Sequence, residues 1–203
     1  MTSRPVLVSQ RVDAIAERAE RRDALDQRWT RFLEACGLLP ILLPNVTTRL
    51  DDYLAIDGVS GIILTGGNDL AGLGAEDVTE RDRLEAALID TALRRKLPLL
   101  GICRGMQAIQ RAFGVPLVAV PGHVSAVQQI RFDGRTESVN SYHNFGSLES
   151  LPPLRTRAHA ADGVVEAIDH EHAPLLGIMW HPERMDPFAG RDLQLFRTHF
   201  GTS

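Results

Sequence analysis

Lysine is nearly missing from this chain. Among 22 lysines and arginines, Lys96 is the only lysine. Its positive charge is therefore carried by guanidinium groups, which grip carboxylates and phosphates in a planar fork. Charge of either sign is not in excess: 26 acidic residues leave a net charge of −4. That balance excludes a general polyanion-binding surface, so no nucleic-acid partner is expected. Cysteine is scarce too. Cys36 and Cys103 are too few for a disulfide framework, and no CxxC or histidine-rich spacing suggests zinc. Free thiols imply a reducing compartment. No apolar run approaches the length of about 20 residues that a membrane span needs. The opening "RPVLVSQ" reads as a strand rather than a leader. The expectation is a cytoplasmic protein with no membrane partner. Internal repeats and low-complexity tracts are also lacking, and 203 residues suffice for one sizeable core. Residues 1–203 are expected to form one domain.

What is present is alternation. "PVLVSQ" (5–10), "LLPILLPN" (38–45), "VSGIILTGGND" (59–69) and "LPLLGI" (97–102) read as buried strands. Between them, "RRDALDQRWTRFLEACG" (21–37) reads as a helix. Leu25, Trp29, Phe32, Leu33 and Cys36 recur at threes and fours, and Gly37 can end it. "TERDRLEAALIDTALRRK" (79–96) is a second helix, with Thr79 as N-cap and basic residues in its last turn. "RGMQAIQRAFG" (104–114) is a third. The second half carries shorter strands, among them "AVQQIRF", "RTRAHA" and "LLGIMW", before a closing helix at 191–200. This order predicts an α/β fold: an open, mostly parallel sheet flanked by helices, with an added antiparallel portion.

One corner stands out, "PLLGICRGMQAIQRAFG" (98–114). A strand runs into Cys103 and a helix follows at once. That is the strand–turn–helix setting of a nucleophile elbow. The turn exposes the thiol at the carboxyl end of the sheet, and the helix aims its positive end at the sulfur. The N–H of Arg104 has no partner in the first helical turn and can hold an oxyanion. Gly101 and Gly105 allow the close approach. Most free cysteines are structural, and Cys36, inside an apolar helical stripe, is read that way.

A nucleophilic cysteine needs a base, and the base an orienting acceptor. "GIMWHPER" (177–184) supplies His181 and Glu183, two apart, with Asp186 a less favoured alternative to Glu183. "ILTGGNDL" (63–70) ends a strand in two glycines whose N–H groups can complete an oxyanion hole. Gln107, four residues after Cys103, lies on the same helical face.

These pieces, in this order, resemble the class I glutamine amidotransferase fold, and more closely its gamma-glutamyl hydrolase branch, peptidase family C26. "TGGND", "GICRGMQ" and "HPE" carry the resemblance, which covers essentially the whole chain. It implies Cys103 as nucleophile, His181 as base, Glu183 as orienting acid, and the backbone of Gly67 and Arg104 as oxyanion donors. It places Gln107 in a glutamyl pocket. It matches "NSYHNFG" (140–146) to a loop whose amides meet the glutamyl head group, here His143, Asn144 and Phe145. The implied substrate is a small gamma-glutamyl compound, with no metal or organic cofactor.

Two chemistries share such a triad: a stand-alone hydrolase, and a glutaminase that passes ammonia to a synthetase. The word "CRGMQ" resembles the hydrolase branch. A non-enzymatic sensor on the same fold is disfavoured by the intact Cys103, His181 and Glu183. The leaving group is less defined. "SQRVDAIAERAERRDALDQRW" (9–29) follows the first strand and is rich in arginine. Its simplest reading is a solvated helix face. It also resembles small hydrolases of gamma-glutamyl-CDP-amidate in surface-polysaccharide pathways, which makes Arg11, Arg22 and the His123 of "PGHVS" substrate candidates. A gamma-glutamylated amine such as gamma-glutamyl-aminobutyrate is the other candidate.

Overall fold

The structure is a computed structural model that describes residues 4–75 and 78–202. In chain order it contains β1 (Arg4–Val8), β2 (Arg11–Ile15), β3 (Glu20–Ala24), α1 (Gln27–Ala35), β4 (Leu38–Leu42) and α2 (Leu50–Leu54). Then come β5 (Ile62–Leu64), α3 (Glu80–Arg95), β6 (Leu99–Ile102), α4 (Arg104–Ala112), β7 (Val118–Ala119), β8 (Val124–Phe132) and β9 (Arg135–Tyr142). The chain ends with β10 (Phe145–Gly146), β11 (Leu154–Ala160), β12 (Val165–His170), β13 (Leu175–Ile178) and α5 (Gly190–Phe200).

Nine strands form one sheet in the order β4-β1-β5-β6-β13-β12-β11-β8-β9. The first five are parallel and the rest join antiparallel. The parallel strands are apolar on both faces because helices cover both. On one face, Trp29 and Phe32 of α1 and Phe196 and Phe200 of α5 pack over the sheet. Phe32 meets Phe196 edge-on at 4.8 Å, a favoured aromatic geometry. On the other face Leu84 and Leu88 of α3 and Met106 and Ile109 of α4 do the same. The consequence for function is positional. β5, β6 and β13 are neighbours and end at one edge, so the turns after them converge.

Two expectations are corrected. The stretch 21–37 is not one helix: α1 starts at Gln27, where the Asp26 side chain accepts the Arg28 N–H. Residues 20–24 form β3, paired antiparallel with β2 from Arg11↔Ala24 to Ile15↔Glu20. The charged residues before Leu25 offer no apolar stripe to bury, so a helix there would gain nothing from packing. The strand read in 59–69 covers only Ile62–Leu64, starting later than expected, and the glycine turn expected at its end follows from Thr65. Helix α3 matches its reading closely, with Thr79 and Asp82 forming a reciprocal capping box.

Candidate active site

Cys103 follows β6 directly and is the N-cap of α4, with φ 51° and ψ −108°. Positive φ is costly for a residue with a Cβ and persists only where the surroundings enforce it. Here its N–H donates to the Ile178 carbonyl at 2.8 Å and its carbonyl accepts the Gln107 N–H at 3.1 Å. Gly101 and Gly105 serve close approach. A Cβ on Gly105 would lie 2.2 Å from the Leu64 carbonyl oxygen, and one on Gly101 2.6 Å from the Gly105 backbone. The unusual torsion therefore belongs to Cys103 itself.

The turn after β5 is shaped by a residue the sequence reading passed over. Arg81 is fully buried, and its guanidinium donates to the carbonyls of Thr65 (2.6 Å), Gly66 (3.1 Å) and Gly67. Drawing three successive carbonyls to one cation fixes the peptide planes, and so fixes where the N–H groups point. Glu85 anchors Arg81 at 2.8 Å and also accepts from Ser9 and from Arg104. Arg104 pairs with Asp82 as well, at 2.5 Å. One buried network thus ties the Gly67 turn to the first residue of α4. Burial opposes ionisation of Glu85, but the charges of Arg81 and Arg104 outweigh it and hold the carboxyl below its ordinary value. Asn68 holds the neighbouring hairpin, its amide bonding both the N–H (2.8 Å) and the carbonyl (2.9 Å) of Val12.

His181 follows β13. Asn140 of β9 clamps its backbone, accepting its N–H and donating to its carbonyl, each at 2.8 Å. The ring packs on Gly66, where a Cβ would come within 2.6 Å of His181 Cε1. Glu183 Oε1 lies 2.7 Å from His181 Nδ1, both groups buried. Pro182–Arg184 is a short 3₁₀ turn that swings Glu183 back under the ring. Glu183, rather than Asp186, is the carboxylate on Nδ1. His181 Nε2 and Cys103 Cβ both lie close to Gly66, at 3.4 and 3.6 Å from where a Cβ there would sit. Burial works against the imidazolium, yet the neighbouring Cys103 sulfur and Glu183 carboxylate prevail and raise His181 to about 9.

Two pockets flank this centre. One, about 190 Å³, is lined by Gly67, Cys103, Arg104, Gln107 and the loop Tyr142–Phe145. Gln107 Nε2 donates to the Phe145 carbonyl at 2.8 Å, pinning that loop. The other, about 80 Å³, is lined by Arg11, Trp29, Gly67, His181, Glu183 and Arg184 among others. Of the substrate candidates, Gln107, His143, Asn144, Phe145 and Arg11 line one pocket or the other. Arg22 does not: it sits exposed on β3, paired with Glu20. His123 does not line them either. It is buried behind the loop, in a group with His143 and Glu166. Its ring nitrogens meet Asp162 at 2.9 Å and Gln128 at 3.0 Å, while His143 Nδ1 donates to Phe145. These contacts brace the loop from below.

The Peptidase C26 family matches this chain over residues 7–127 and 119–183, and the chain belongs to that family. Its sheet has the class I glutamine amidotransferase architecture. A glutamine amidotransferase from Thermotoga maritima superposes with a TM-score of 0.68 at 16% identity, covering 98% of this chain and 84% of that one. A gamma-glutamyl-CDP-amidate hydrolase of Campylobacter jejuni is 35% identical over 127 residues, which span 62% of this chain and 63% of that protein. A gamma-glutamyl-gamma-aminobutyrate hydrolase of Escherichia coli K12 is 29% identical over 200 residues, 78% of each chain.

Proposed function

We propose that this protein is a cysteine-dependent hydrolase of gamma-glutamyl amide or amidate bonds, with Cys103 as nucleophile, His181 as acid and base, and Glu183 as the group that orients His181. The observation that carries the reading is the convergence at one sheet edge: a strained cysteine, a histidine raised to about 9, and its buried carboxylate.

The chemistry follows from the geometry. The Cys103 sulfur attacks the γ-carbonyl carbon, a C–S bond forms, and the carbonyl electron pair moves to oxygen. The N–H groups of Gly67 and Arg104 hold that oxygen, and Arg81 and Glu85 keep the two donors in register. The carbonyl re-forms as the C–N bond breaks, and the proton on His181 Nε2 passes to the leaving nitrogen. Neutral His181 then takes a proton from water, the hydroxide attacks the thioester, and glutamate leaves as Cys103 is restored. Glu183 stabilises the imidazolium through Nδ1 at each stage. The pocket of about 190 Å³ beside Cys103 and Gln107 is the glutamyl side. The Campylobacter jejuni relative supports an amidate leaving group and the Escherichia coli relative an amine.

The test is glutamate release by the purified protein from glutamine, gamma-glutamyl-aminobutyrate and gamma-glutamyl-CDP-amidate side by side. Release from a substituted compound, with glutamine poor, is the expected result. Turnover retained by Cys103→Ala would sink the nucleophile assignment. A strong preference for glutamine would redirect the reading to an ammonia donor.

A further inference from the structure

The two pockets are unequal in chemistry as well as size, and the inequality says which half of the substrate each takes. His181 lines the smaller pocket and Cys103 the larger. In the reaction proposed above, the leaving nitrogen must face the proton on His181. The smaller pocket is therefore the leaving-group side.

Its walls carry two guanidinium groups, those of Arg11 and Arg184. Arg11 holds Asp13 at 2.7 Å, but both side chains are about half exposed, at 51% and 42%, and such pairs exchange readily. Arg184 differs. Its Nε is turned inward against Glu183 and makes no hydrogen bond among the described residues, while its side chain is 32% exposed, which leaves the outer nitrogens open on the pocket it lines. The nearest carboxylate oxygen, Glu183 Oε1, is 3.5 Å away and already bonds His181 Nδ1 at 2.7 Å. Its guanidinium is stacked 4.7 Å from the Tyr142 ring centroid, which orients the fork without using its donors. An oriented guanidinium whose outer donors face a pocket beside the proton donor is a receptor for an acceptor group.

We infer that the smaller pocket is an anion subsite in which Arg184, aided by Arg11, binds a negatively charged group on the leaving nitrogen or close to it. This rests on the hydrolase reading. A volume of about 80 Å³ seats one phosphoryl- or carboxylate-sized group and leaves any larger remainder outside. Charge-assisted contacts there do two things. They select substrates by the charge of the leaving group, and they neutralise that charge next to Glu183. A phosphoryl group bonded directly to nitrogen and a carboxylate further along an amine share this chemistry.

Matched substrates separate the possibilities. Gamma-glutamyl-aminobutyrate and gamma-glutamyl-butylamide differ by the carboxylate, and gamma-glutamyl-CDP-amidate supplies the phosphoryl group. The wild-type protein should favour an anionic member over butylamide in kcat/KM. Arg184→Met should shrink that preference by about 10- to 100-fold, and Arg184→Lys should recover part of it. Whichever anionic substrate loses more identifies the group the subsite holds. No preference in the wild-type protein, or a preference unmoved in Arg184→Met, overturns the inference. If no gamma-glutamyl compound is cleaved, the hydrolase reading fails by itself. Inorganic phosphate binding, read by calorimetry, then decides the subsite. Weaker binding to Arg184→Met than to wild type keeps it, and equal or no binding to both overturns it.

Discussion

Cys36 stands at the C-terminal end of α1, and Cys103 at the N-terminal end of α4. The two thiols are the only ones in the chain, and each terminates a helix of nine residues. Their surroundings differ in every respect that matters for reactivity. Cys36 has no exposed surface and packs with Trp29, Phe32 and Leu33. Burial pushes its thiol up to about 12; the Arg197 charge opposes this and Asp192 adds to it. The carbonyl end of the helix dipole also disfavours a negative sulfur there. Cys103 has 6% of its surface exposed, enough to line a pocket, and sits at the positive end of α4 within reach of a protonated His181. Chemical type is therefore a poor guide to role; the end of the helix and the neighbouring cation decide it.

The sharpest way to break that contrast is substitution at each thiol. Cys103→Ala should lower glutamate release by on the order of 10⁴-fold, to the background of the assay. Iodoacetamide should label Cys103 and spare Cys36, as peptide mapping would read. Equal labelling of the two would remove the basis for treating them differently.

The next largest effect concerns the support of Cys103, for which Cys36 has no counterpart. Arg81→Met frees the carbonyls of Thr65, Gly66 and Gly67 and loosens the Gly67 N–H. The expected fall in kcat is about 10²-fold, the order seen on losing an oxyanion donor, with KM changed far less. A lower melting temperature accompanies it, because Glu85 loses one of its two cations. A fall confined to KM would place Arg81 outside the chemistry.

Why Arg81 escaped the sequence reading while the Cys103 corner did not is a matter of local signal. "LPLLGICRG" carries its own markers, an apolar run broken by a cysteine between glycines, and the structure has β6, an elbow and α4 in that order. "TERDRLE" reads as the charged first turns of a helix, and the capping box at Thr79 bears out that start. Nothing in its spacing says that Arg81 and Glu85 turn inward, since their partners lie in the turn after β5, at Ser9 and at the start of α4. The β2–β3 hairpin was missed for the same reason. It has no apolar alternation of its own, and the side-chain bonds that seat it come from Asn68 on Val12 and Asn45 on Asp23, both distant in the chain. His123 was expected in the pocket and lies behind it, because its side chain, just before β8, is held by Asp162 and Glu166.

Protonation sharpens the comparison further. With His181 at about 9, the proton needed by the leaving nitrogen is present through neutral pH and lost above it, so the rate should fall as pH rises past about 9. Glu183 is one of the groups raising that value. Glu183→Gln removes a stabiliser of the imidazolium, so the falling limb of the kcat profile should move to lower pH, with the maximal rate down about tenfold or more. A limb that stays in place would assign it to a group other than His181.

The smallest effect on activity is expected where the thiol is most buried. Cys36→Ala removes one sulfur from the contact between α1, Thr202 and the aromatic cluster on that face. Its backbone still receives the Thr202 hydroxyl at 2.8 Å, a bond the substitution leaves alone. The cost is then a small cavity, about 1–2 kcal/mol of stability read by urea unfolding, with kcat and KM within error of wild type. Cys36→Ser should cost more than Cys36→Ala although it is closer in size, because a hydroxyl is brought into an apolar site that offers it little to bond. The reverse order would mean that the space around Cys36 is less apolar than Trp29, Phe32 and Leu33 make it. The contrast with Cys103 would then rest on the helix ends and His181 alone.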